Sequence, residues 1–169
     1  MSVVSSVSDV SVVNHMDYVN YLLQRDGSCC VVFALCNALR FFWKSSPRPG
    51  TAAWEKLVDL AGCRNGSTVR RYAVAEALGL HLTPIVPVER SIAEAPAMLT
   101  VWNPERVGSS LHAVLVVGGT PPDRVLLANY RWRRGPVVEE LPWDSIPMPP
   151  EGNANRRAWS VRLVSPRSS

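Results

Sequence analysis

Long apolar runs are missing from this chain. No stretch reaches the roughly 18 consecutive apolar residues of a membrane-spanning helix, so no membrane span is expected. Residues 1–13 lack the basic start and long apolar stretch of a signal peptide. A cytoplasmic location is therefore expected, with secretion or delivery as an effector by a route without a signal peptide left open. Cysteines are few: Cys29, Cys30, Cys36 and Cys63. That is too few for a disulfide scaffold, and a bridge between the neighbours Cys29 and Cys30 would be strained. Reduced thiols are expected, at least one of them chemically active. No CxxC pair is present, so zinc is not expected, and no metal or organic cofactor is needed. A dense basic stripe is also missing. The net charge is +4, and the arginines are scattered apart from Arg131, Arg133 and Arg134 and the pair Arg156–Arg157. Nucleic-acid binding is not expected. The charge supports only a slight preference for acidic partners.

What is present fits one globular domain. The chain has 169 residues, of which 47% are hydrophobic and 19% charged, an ordinary balance for a packed core. Residues 1–13 alternate Val and Ser and read as either a disordered tail or an edge strand. Residues 14–165 read as the domain, with a helical part over about 28–80 and a sheet part over about 81–165. Residues 166–169 are a tail.

The helices come first. Residues 30–43, CVVFALCNALRFFW, are apolar almost all round and predict a buried helix. Thr51 is placed to cap a second helix, TAAWEKLVDLAG. Ser67 is placed to cap a third, TVRRYAVAEALG, which Gly79 ends. Strands follow: LHLTPIVP with a proline defect, AMLTVW, HAVLVVGG, VLLANY, VVEEL and AWSVRLV. Helices followed by strands predict an α+β fold, a helical lobe beside a small antiparallel sheet.

Chemistry concentrates at QRDGSCC, residues 24–30. A glycine-containing loop delivers Cys30 to the first turn of the buried helix. The first amides of a helix have no internal partner and its dipole is positive there, so both favour a thiolate. Cys29, one residue earlier, is the competing nucleophile. A thiolate also needs a base and an oxyanion site. Gln24 can supply one donor and the Cys30 N–H the other. There are three histidines. His112 opens the most apolar strand beside a loop, which suits a rigidly backed base better than His15 or His81. Asn129 ends the next strand, where a tight GTPPD turn brings it beside His112 to fix the ring. Gly27, Ser28 and Leu111 flank these groups as substrate-binding candidates.

These motifs resemble the papain-like cysteine peptidases: Gln24, then Cys30 at a helix start, then Phe33; the strand HAVLVVG; Asn129 followed by Trp132. The resemblance implies a papain-like fold with Cys30 as nucleophile, His112 as base, Asn129 as orienter and Gln24 as oxyanion donor. Within that clan the chain looks most similar to the bacteriocin-processing peptidases that remove leader peptides, on the runs WEKLVDLAGCRNGSTVRRYAVAEALGL, APAMLTVWNP and NYRW. It departs from them in having Cys29-Cys30-Val31 where that family usually has Asp-Cys-Gly. The expected partner is a peptide or protein substrate, and leader processing would run apart from export or with a separate transporter. Rival expectations are a deubiquitinase-like isopeptidase, a cell-wall amidase, an acyltransferase, a catalytically silent peptide-binding module, and a thiol-based structural or redox protein.

Overall fold

A computed structural model describes residues 20–25, 29–43, 45–63, 70–105 and 110–165. The expectations for residues 1–13 and 166–169, the Ser67 cap, and the candidates Gly27 and Ser28 lie outside the described residues.

The helices are α1 (Cys30–Trp43), α2 (Ala52–Ala61) and α3 (Arg71–Ala77). Thr51 caps α2 as its sequence predicts, the Oγ1 accepting from Trp54 N at 3.2 Å. Gly62 then takes the left-handed conformation that ends the helix, at φ +73°. The strands are β1 (Leu80–Pro84), β2 (Ala97–Trp102), β3 (Leu111–Thr120), β4 (Arg124–Ala128), β5 (Val138–Pro142) and β6 (Ala158–Leu163). All pairings are antiparallel, in the order β1-β6-β2-β3-β4-β5. The chain is thus α+β, helices followed by a six-stranded antiparallel sheet.

Both faces of the central strands are covered, and the period-two pleat sorts their side chains. Ala113, Leu115 and Val117 of β3 and Leu126 and Ala128 of β4 pack with α1, α2 and α3. Val114, Val116, Val125 and Leu127 point the other way, onto Ile85, Val88, Ile92, Tyr130, Trp143 and Ile146. Continuous apolar runs such as AVLVV are what a strand buried on both faces requires. The helices and the sheet share one core on the first face, so α1 lies directly on β3.

The cysteines correct the sequence expectation. Cys29 and Cys63 form a disulfide across 34 residues, with Cα atoms 5.4 Å apart, while Cys30 and Cys36 are free. No local motif signals this pairing. It arises because α2 returns its C-terminal end to the start of α1, a tertiary event. The bridge ties the loop before Cys30 to the end of α2.

Candidate functional site

The site begins at the N-terminus of α1. Cys29 has φ +54°, a left-handed turn that few residues other than glycine adopt readily. Its carbonyl accepts from Val32 N at 2.9 Å and Phe33 N at 3.2 Å. The amides of Cys30 and Val31 remain outside the helical ladder, and both act to lower the Cys30 pKa.

A third amide comes from the sheet. β3 pairs with β4 only as far as Leu115–Ala128. Beyond that, Asn129 takes φ +58° and the chain leaves the sheet. Thr100, opposite Ala113 on β2, donates its N–H outward to Arg157 O at 3.0 Å. In an antiparallel pair of this kind both amides face away from each other, so Ala113 N–H faces the gap left by β4. The Cys30 thiol fills that gap and accepts from Ala113 N at 3.4 Å. Backbone bond lengths then put the sulfur within about 6 Å of the His112 Cα. The strand start that carries the candidate base is the one on which the candidate nucleophile rests.

His112 is buried, with 2% exposure. Its Nε2 lies 2.8 Å from the main-chain oxygen of Asn129. A carbonyl only accepts, so the neutral ring carries its proton on Nε2 and keeps a basic lone pair on Nδ1. The bond to the ring comes from the Asn129 main chain and not from its side chain. That side chain faces elsewhere: Oδ1 accepts from Gln24 N at 3.0 Å and Nδ2 donates to Leu22 O at 2.8 Å. The left-handed backbone at Asn129 explains the exchange of roles. It turns the carbonyl toward His112 and leaves the amide group to act as a surrogate strand for residues 22–24. Asn37 on α1 holds the same segment, through Leu22 N at 2.7 Å and Leu22 O at 3.1 Å.

Gln24 is thereby buried beside the site, at 1% exposure, with its main chain tied to the residue that holds His112. Leu111, at the start of β3, is 38% exposed at the surface next to His112. Gln24 and His112 are both hydrogen-bonded to Asn129, and Cys30 rests on Ala113, the neighbour of His112. Trp132 is buried and donates from Nε1 to Asn103 Oδ1 at 3.1 Å.

Electrostatics qualify the sequence reading. The helix start predicts a thiol shifted toward thiolate, yet burial pushes the Cys30 thiol up. The amides of Ala113, Val31 and Cys30 and the charge of Arg71 oppose that shift without overcoming it. Burial likewise pushes His112 down, against the hydrogen bond that the ring donates to the Asn129 carbonyl. Each group favours its neutral form when taken alone, because desolvation penalises a lone charge.

Arg71 was not legible as a site residue. An arginine at the first position of α3 reads as a solvated helix end. In the fold its guanidinium carbon lies 4.2 Å from the centre of the Trp159 ring, and its charge acts on Cys30. The Ala113 amide was missed for the same reason: no sequence signal marks a main-chain donor. Among the described residues no cluster of His, Cys, Asp and Glu is arranged to hold a metal ion, and no helix is long and apolar enough to cross a membrane. No protein-family model matches the chain, and neither does any curated protein.

Proposed function

We propose that this protein is a cysteine hydrolase of papain-like fold that cleaves peptide bonds through Cys30 and His112. The observation that carries the reading is the seating of the Cys30 thiol on the Ala113 amide, one residue from a histidine whose Nε2 proton is fixed by Asn129. His112 Nδ1 takes the Cys30 proton as the sulfur attacks the carbonyl carbon. The carbonyl electrons move to oxygen, which accepts hydrogen bonds from the Cys30 N–H and the Gln24 amide. Collapse expels the amine, which receives the proton from His112, and leaves a thioester on Cys30. Water gives a proton to His112 and attacks the thioester. The acid departs and the thiol is restored. The same steps serve an isopeptidase or amidase, and an acyltransferase if an amine replaces water.

The test is hydrolysis of a quenched-fluorescent peptide library by wild type, Cys30→Ala and His112→Ala. The reading expects cleavage that Cys30→Ala abolishes and His112→Ala lowers by about a hundred-fold or more. Cleavage that survives Cys30→Ala would remove it. A silent peptide-binding module is the second reading, favoured by burial pushing both groups toward neutrality. It expects peptide binding without cleavage.

A further inference from the structure

We infer that Arg71 and Arg157, with the aromatic shelf of Trp159 and Tyr72, form a subsite beside Cys30 for a peptide bearing a carboxylate. This rests on the reading of Cys30 as nucleophile and adds a substrate class to it. Arg71 is half-buried, and its Nε is buried without a hydrogen-bond partner. The guanidinium is stacked on Trp159, whose Nε1 donates to Tyr72 Oη at 3.0 Å. That stacking fixes the plane of the fork. Arg157 is near enough that its charge opposes that of Arg71. Among the described residues the ion pairs engage Arg90, Arg124, Arg131, Arg156 and Arg162, and neither Arg71 nor Arg157. Arg156, which lines the same groove, is paired with Glu89 at 2.6 Å.

Two adjacent cations, one of them desolvated and lacking a counter-charge, oppose folding unless an anion joins them. A guanidinium fork matches a carboxylate in shape as well as charge. The surface beside them suits a peptide. A groove of about 290 Å³ is lined by Tyr72, Ile85, Val86, Arg157, Ala158 and Trp159, with Val86 77% and Tyr72 55% exposed. Apolar walls with cationic groups at one side fit an apolar side chain next to a carboxylate. Arg71 sits over Trp159 at the wall of this groove, and its charge also reaches Cys30.

The experiment uses two reagents of similar size, iodoacetate and iodoacetamide. Each forms a bond from carbon to the Cys30 sulfur, expels iodide and releases the thiol proton to solvent. The rates at Cys30 are read by peptide mass mapping, with glutathione as reference. The iodoacetate-to-iodoacetamide ratio at Cys30 is expected to exceed that of glutathione by about five-fold or more at low salt and to shrink as salt is added. Arg157→Gln and Arg71→Gln should each lower it, and Arg157 is exposed enough for its variant to fold. A ratio equal to that of glutathione, or one unmoved by Arg157→Gln, overturns the subsite while brisk iodoacetamide labelling leaves the hydrolase reading standing. Failure of both reagents counts against the nucleophile instead. The subsite is then read by anisotropy of three fluorescein-labelled peptides. One carries glutamate with an amidated end, one is neutral with a free C-terminus, and one is neutral and amidated. Tighter binding of the first identifies an acidic side chain, and of the second a terminal carboxylate. Equal binding of all three, or no loss with Arg157→Gln, overturns the proposal.

Discussion

His112 Nε2 meets the main-chain oxygen of Asn129 at 2.8 Å, while the side chain of the same asparagine holds Leu22 and Gln24. One residue therefore serves two tasks with different atoms. Its carbonyl fixes the tautomer of the candidate base, and its amide fastens the segment that carries Gln24.

That division separates the effects of substituting Asn129. Asn129→Ala keeps the carbonyl but loses two side-chain hydrogen bonds and places alanine at φ +58°. A loss of about 2–4 kcal/mol in unfolding free energy is expected. Asn129→Gly should recover about 1 kcal/mol of it, because glycine accepts the left-handed turn. Urea denaturation checks both. If Asn129→Ala is as stable as wild type yet loses activity a thousand-fold, the side chain and not the carbonyl governs the ring.

The pH dependence follows from His112. Burial holds its folded pKa below the ordinary value of about 6.5. Between those two values the unfolded chain binds more protons than the folded one, so stability falls as pH drops below about 6.5 and levels off beneath the folded value. On the proposed mechanism, in which His112 acts as base in its neutral form, peptide cleavage should rise with pH through an apparent pKa below the ordinary histidine value. Urea midpoints between pH 7.5 and 5 should fall further for wild type than for His112→Gln. Identical pH slopes for the two proteins would contradict the burial of a neutral imidazole.

The Cys29–Cys63 bridge is expected to stabilise the start of α1. For a separation of 34 residues, loop entropy alone gives about 3–4 kcal/mol. Cys63→Ser or reduction should lower the melting temperature and weaken labelling of Cys30, because the bridge anchors the turn that presents it. Melting curves with and without reductant, with alkylation mapped on the same samples, check this. Unchanged melting on complete reduction would show that the bridge carries no structural load.

Much of this fold was legible because its signals are local. Thr51 marks the start of α2 by capping chemistry, and the apolar run HAVLVVGG marks a strand. The candidate residues Cys30, His112, Asn129 and Gln24 converge because helix start, strand start and strand end meet at the gap where β4 stops. What was not legible depends on tertiary geometry. The pairing of Cys63 with Cys29 depends on the return of α2, and the stacking of Arg71 on Trp159 depends on α3 meeting β6. The direction of the Cys30 shift was misjudged because a sequence displays a helix terminus but not the depth of burial that opposes it.

The central claim is that His112 activates Cys30, and alkylation kinetics test it most directly. Iodoacetamide is applied at pH 7 to wild type and His112→Ala, with the modified cysteine identified by mass spectrometry and glutathione as the free-thiol standard. The account predicts that His112→Ala slows alkylation of Cys30 by at least about ten-fold relative to the same reaction of glutathione. A Cys30 rate that His112→Ala leaves unchanged would contradict it.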